Sequence, residues 1–299
     1  MTRHGRENLQ YGEMSPITDR AGRFSWLKTL CLMLLVAPAA WLAWRALNHD
    51  LGPRAMTEAL HVTGRWAVRF LLAALAVTPL QRLFRWNRLA LIRRMLGVGA
   101  FTWASGHLLL YIASQGYDLP HVASEIVHRY YLAIGFAALA GLALLAATST
   151  DGMIARLGPW WKRLHRAVYI LTALAIVHFF MQSKLDASEA TLMAGLFLAL
   201  MIYRLTFRLR LPVNAAMLAG VAVAAAAATA LVEFAWYGLA TGANPWRVLA
   251  ANLHATQGLR PAVDVLLLAL GLGLCAEIYR RRNAQSPAAG LPPRLSRGA

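Results

Sequence analysis

His107, His165 and His178 stand inside otherwise apolar segments of this chain. An ionisable side chain is costly to place where a helix crosses a bilayer, and where one is kept it usually serves a function. Imidazole is also an axial ligand of haem iron. These three positions therefore suggest a membrane protein that carries electrons.

Depth along the helices separates the three. His107 lies twelve residues beyond Met95, and His178 fourteen beyond Leu164; at about 1.5 Å per residue these are rises of about 18 and 21 Å. Two imidazoles at similar depth on different helices can clamp a flat macrocycle. Ala100, Ala104 and Gly106 near His107, and Ala175 before His178, are small enough to leave room for it. His165 lies thirteen residues below His178, a drop of about 20 Å with a turn of roughly 140° about the helix axis. It cannot share the same iron, and it is open to a quinone, a flavin or the interface alone. Arg65 and Arg69, one turn apart, can serve haem propionates or snorkel to the interface. His61, just before them, is either a surface histidine or a contact to the haem edge.

The positioning elements follow from composition. The 299 residues are 59% hydrophobic and 14% charged, with a mean hydropathy of +0.48. Apolar stretches of about 20 residues, enough to span a bilayer, fall near 25–46, 64–80, 95–114, 130–148, 164–181, 190–207, 212–240 and 262–279. The expected fold is all-α: a polytopic transmembrane helix bundle of about eight spans. The Ala- and Val-rich seventh, including 221–228, predicts close helix packing.

The net charge of +17 is not spread evenly. Arg and Lys gather before the first span (Arg20, Arg23, Lys28) and after the even-numbered ones. Arg82, Arg85, Arg88, Arg93 and Arg94 follow the second, Arg156, Lys162, Arg163 and Arg166 the fourth, Arg204, Arg208 and Arg210 the sixth, and Arg280–Arg282 the eighth. Between the fifth and sixth spans Lys184 stands alone beside Asp186 and Glu189. This is the positive-inside pattern, which predicts both termini in the cytoplasm. It accounts for the charge without nucleic acid.

Other classes of chemistry find no support. Cys31 and Cys275 lie within spans and read as small hydrophobes. No Gly-rich phosphate loop follows a strand, and no loop exceeds about 20 residues, so no soluble catalytic domain is expected. Ala37-Pro38-Ala39 imitates a signal-peptidase site, but the apolar run continues through Trp41 and Trp44, as in an uncleaved first helix. Residues 1–24 and 283–299 read as polar, flexible tails. His4, His49, His121, His128 and His254 read as solvated.

Several short stretches, taken in order, resemble the ferric-reductase-like transmembrane domain family, and within it the haem-binding membrane subunits of the methionine sulfoxide reductase system. They are His61-Val62-Thr63-Gly64, Thr78-Pro79-Leu80, Arg93-Arg94-Met95-Leu96-Gly97 and Ala104-Ser105-Gly106-His107. Thr148-Ser149-Thr150, Leu157-Gly158 with Trp161, and Leu164-His165 with Tyr169 and His178 complete the set.

The resemblance covers roughly 25–210. It implies a haem-binding transmembrane domain of six spans, leaving 211–282 as a two-helix extension that it does not explain. It further implies haem b, admits FMN as a second cofactor, and marks His107, His165 and His178 as the family's histidine positions. By the same resemblance, electrons pass from the quinone pool, or from a cytoplasmic flavin reductase, to a periplasmic molybdopterin-containing methionine sulfoxide reductase. The chain would then be an electron-transfer subunit in a bacterial inner membrane, surrounded by lipid, rather than a complete enzyme. The family's two-haem ferric reductases space their paired histidines fourteen apart; the thirteen seen here leaves a second haem in doubt. Another electron carrier of the same family, or a non-redox transporter or scaffold, remains the rival reading.

Overall fold

The structure, a computed structural model, describes residues 17–18, 23–183, 186–252 and 259–285. Most of the N-terminal tail (His4 and Arg20 included), Lys184, His254 and the tail after Gln285 lie outside the described residues. Among the described residues no strand forms. Backbone N–H and C=O groups in lipid have no water to bond to, so a spanning segment satisfies them within itself as a helix.

Eight helices are long and apolar enough to cross a membrane. They are built on α1 (Trp26–Leu47), α2 (Ala55–Leu83), α3 (Ala90–Ser114) and α5 (Tyr130–Ala147), then α8 (Val168–Gln182), α9 (Ser188–Arg208), α10 (Ala215–Trp236) and α12 (Pro261–Gln285). Short helices lie between them: α4 (Leu119–His128), α6 (Asp151–Leu157), α7 (Pro159–Leu164) and α11 (Pro245–Ala251).

Three features depart from simple spans and loops. The second span is longer than its apolar stretch, and charges in its first turns are paired: Arg65 Nη2 lies 3.3 Å from Glu58 Oε1. The connection at 115–128 is largely helical. Asp118 caps it, accepting from the His121 N–H at 3.0 Å, and Pro120 follows in the first turn, where its missing N–H costs nothing. The fifth span is also not one regular helix. A 3-10 turn, His165–Ala167, separates α7 from α8, so helical phase cannot be carried from His165 to His178 as a single 3.6-residue repeat.

The chain divides into two compact units. The first takes the described residues up to Val77 together with Arg88–Ala175; the second takes Thr78–Asn87 and the described residues from Ile176 on. In the first unit α3 packs on α1 and on α5, and α4 packs on α5. In the second, α9, α10 and α12 all pack on one another, with a core of Leu83, Tyr203, Leu218, Val221 and Ala276. The Ala-rich α10 allows this close approach: Ala222 and Ala225 are completely buried.

Gly195 on α9 makes the tightest of these approaches. A Cβ there would collide with Thr229 Oγ1 on α10 and lie 2.7 Å from Val265 Cγ2 on α12. We expect Gly195→Val to destabilise the second unit by about 1–3 kcal/mol through overpacking, read as a lower melting temperature in detergent. Gly220→Val, where an added Cβ meets nothing within 4 Å, should melt close to the parent.

Candidate functional site

Thr63 and Gly64 lie on α2 at the level where α3 presents His107. The His107 Nδ1 is 2.9 Å from the Leu60 carbonyl oxygen and 3.5 Å from Thr63 Oγ1. A carbonyl oxygen can only accept, so Nδ1 carries the proton and donates. A neutral imidazole protonated there has its lone pair on Nε2. Metal-ligating histidines are commonly held in this way, with the second nitrogen donating to a backbone carbonyl.

Gly64 brings the helices close enough for that bond. A Cβ on it would stand 3.2 Å from both His107 Cε1 and Nδ1, so any side chain would press on the ring. One turn earlier on α3, Trp103 is buried and donates its Nε1–H to the Leu35 carbonyl of α1 at 3.1 Å. Two side-chain donors thus set the rotation of α3 within the first unit. Trp103 also packs with Trp66 and Phe70 of α2, centroids 6.4 and 6.0 Å away.

The surroundings of His107 suit a bound haem on one side. An added Cβ at Gly106 would meet nothing within 4 Å, and Ala104 keeps partial exposure. Ala100, expected to leave room for the macrocycle, is instead covered completely by protein. A fixed tautomer with Nε2 as the lone-pair nitrogen, beside open surface at Gly106, fits haem iron as a ligand site.

Arg65 is engaged with Glu58, and the Arg69 guanidinium lies 4.9 Å over the Trp66 ring. Both interactions hold these side chains in place within α2. His61 is exposed.

His165 has a different set of partners. Its Nδ1 lies 3.1 Å from the Trp161 carbonyl and so donates there. Its Nε2 lies 3.3 Å from Ser149 Oγ, while that hydroxyl is also 2.7 Å from the Leu145 carbonyl. One hydroxyl proton therefore has two acceptors to serve. The Trp161 ring stacks on the imidazole at 3.9 Å, and its Nε1–H donates to the Thr148 carbonyl at 2.9 Å. Thr148, Ser149, Trp161 and His165 thus stitch the end of α5 to the turn before α8.

His178 belongs to the second unit, whereas His107 and His165 belong to the first. It is half-buried on α8, two residues before Phe180, whose ring packs on Trp236 of α10 at 5.0 Å. Trp236 is one turn beyond Glu233, a carboxylate only 1% exposed. Glu233 pairs with Arg260 at 2.9 Å and accepts from Asn252 Nδ2 at 2.8 Å. An acidic residue inside the 212–240 stretch was a visible signal for this cluster. The Leu60 carbonyl that holds His107 left none, since every residue carries one. Among the described residues no group of three or more His, Cys, Asp or Glu is placed to hold a metal ion.

The family model described as ferric reductase like transmembrane component matches residues 63–176. No solved structure matches the chain. Three bacterial relatives carry the name protein-methionine-sulfoxide reductase heme-binding subunit MsrQ. The one from Caulobacter vibrioides is 35% identical over 170 residues, 56% of this chain and 81% of the relative. That from Rhodospirillum rubrum is 39% identical over 189 residues, 62% of this chain and 88% of the relative. The Xanthomonas euvesicatoria protein is 40% identical over 185 residues, 59% of this chain and 84% of the relative. Likeness at this level, over more than four fifths of each relative, shows that the chain belongs to the MsrQ family of methionine sulfoxide reductase membrane subunits.

Proposed function

We propose that this protein binds b-type haem in the membrane and passes electrons to a methionine sulfoxide reductase subunit. The observation that carries the reading is the His107 Nδ1–H bond to the Leu60 carbonyl. It leaves Nε2 as the coordinating nitrogen and holds the ring before any ligand arrives. The family's name supplies the haem and the reductase system.

His107 would hold the haem iron through Nε2, and His178, at matching depth along the sequence, would supply the second imidazole. When bound, the haem iron supplies one-electron transfer. The chain orients the imidazole, fixes its proton on Nδ1 and keeps charged groups paired nearby, as Arg65 is with Glu58. His165, held by Ser149 and Trp161, serves electron entry from the other end of the span.

The donor in this reading is the quinone pool or a cytoplasmic flavin reductase, with FMN as a second cofactor. The acceptor is a periplasmic molybdopterin-containing reductase that repairs oxidised methionine. The chain lies in a bacterial inner membrane with both termini in the cytoplasm. It has six haem-domain spans over 25–210 and a two-helix extension over 211–282.

Purified protein should show the reduced-minus-oxidised spectrum of a low-spin b-type cytochrome. A colourless preparation that haem cannot reconstitute overturns the proposal. His107→Ala and His178→Ala should each abolish the low-spin signal while the protein still inserts, and His165→Ala should keep it but slow electron input. Low-spin haem retained in both of the first two variants returns those residues to structural roles.

Gly64→Val tests the seat rather than the ligand. Displacing His107 from the Leu60 carbonyl should weaken haem retention about 10-fold or more, the usual cost of losing a ligand's supporting partner.

Orientation has its own test. Reporter fusions after Arg88, Arg163 and Arg282 should read as cytoplasmic, and those after Gly116 and Asp186 as periplasmic. A periplasmic signal from the Arg88 fusion reverses the orientation and with it the depth assignment.

A further inference from the structure

Where α2 ends, the second unit contains an open surface cavity of about 570 Å³ lined by Thr78, Gln81, Arg82, Arg85 and Asn87, of which Arg82, Arg85 and Asn87 are exposed. The recess is wide enough to admit a phosphate head group from its open side. Its lining has two guanidinium groups, two primary amides and one hydroxyl, and no carboxylate. Among the described residues neither Arg82 nor Arg85 has a carboxylate partner, although Arg65, Arg94, Arg129, Arg260 and Arg281 each do.

The local backbone builds this arrangement. Gln81 Nε2 donates to the Asn87 carbonyl at 3.1 Å, closing the turn around the cavity. Arg85 sits in that turn with φ of +50°, the left-handed region that a side-chain-bearing residue enters only when its surroundings require it. The Arg82 guanidinium stacks 5.1 Å over the Phe207 ring of α9, so its position is set by packing before any anion arrives.

The cavity also lies at a membrane boundary by its place in the chain. One spanning helix ends at Leu83 and the next begins at Asn87, so the lining residues fall where lipid phosphates lie. Basic pockets between spans at that level suit anionic head groups, and guanidinium suits phosphate because its N–H groups can bond two oxygens at once.

We propose that Arg82 and Arg85 form a binding site for a phosphate ester, of the kind carried by an anionic phospholipid head group. The site is separate from the histidines and does not depend on haem.

The test uses the full-length protein in nanodiscs of phosphatidylcholine alone or with added phosphatidylglycerol, reading melting temperature and the lipid retained in native mass spectrometry. In the parent, phosphatidylglycerol should raise the melting temperature and be retained. Arg85→Gln and Arg82→Gln should each cut retention several-fold while melting like the parent in phosphatidylcholine. If Arg82→Gln unfolds through loss of the Phe207 contact, Arg85→Gln alone decides.

A second arm adds glycerol 3-phosphate to phosphatidylcholine nanodiscs. Stabilisation that depends on Arg85 there, without selective retention of phosphatidylglycerol, assigns the site to a soluble phosphate ester. The single variant Arg210→Gln removes equal charge from outside the cavity. Equal loss of retention in that variant, or full retention and no phosphate response in Arg85→Gln, overturns the proposal.

Discussion

A polar group on a membrane-spanning helix is stabilised by a partner inside the protein, because hydrocarbon offers none and an unmatched donor or acceptor costs several kcal/mol there. Much of this fold follows from that constraint. Backbone groups meet it by forming helices. Some threonine hydroxyls meet it by bonding back to their own helix, as Thr172 does to the Val168 carbonyl at 2.7 Å and Thr229 to the Ala225 carbonyl at 2.7 Å, whereas Thr191 Oγ1 and the Tyr203 hydroxyl are buried without a hydrogen-bond partner. Two side chains with N–H groups on α3 reach to neighbouring helices, and those bonds carry tertiary information. Trp103 donates to the Leu35 carbonyl and His107 to the Leu60 carbonyl, which the Thr63 hydroxyl also approaches at 2.9 Å.

The chemistry of the candidate site grows from the same solution. The bond that satisfies His107 also selects its tautomer and so determines which nitrogen can coordinate. Gly64 makes the bond possible by omitting a side chain where one would press on the ring. His165 shows the other outcome. Both of its nitrogens lie within hydrogen-bonding distance of protein groups, and the Trp161 ring covers one face. Two histidines that look alike in composition therefore differ in the groups that orient their rings.

The C-terminal helices solve the problem with charge. Glu233 is almost completely buried, and it is stable there only because Arg260 and Asn252 face it. Removing either partner would leave an uncompensated carboxylate, which is far more costly than never burying the pair. Around it, small residues let α9, α10 and α12 approach closely, which in a membrane gives association through packing rather than through exclusion of water.

Composition and periodicity determined the number and approximate position of the spans, since hydropathy over some 20 residues reports directly on the cost of entering lipid. The residue types worth attention, three histidines inside those spans, were equally legible, and so was the order of short motifs that pointed to the family. Helix limits were less so. Glu58 and Arg65 made the start of α2 look polar, yet the helix begins at Ala55 and the two pair within it. The break at His165–Ala167 left no proline or glycine to announce it. Tertiary structure alone decided what holds each histidine. The Leu60 carbonyl lies 47 residues from His107 in sequence, and backbone carbonyls are the same at every position. Gly64 and Ser149 could be quoted as parts of motifs, but their roles exist only once a neighbouring helix brings an imidazole within 3.5 Å, and no property of one segment alone encodes that approach.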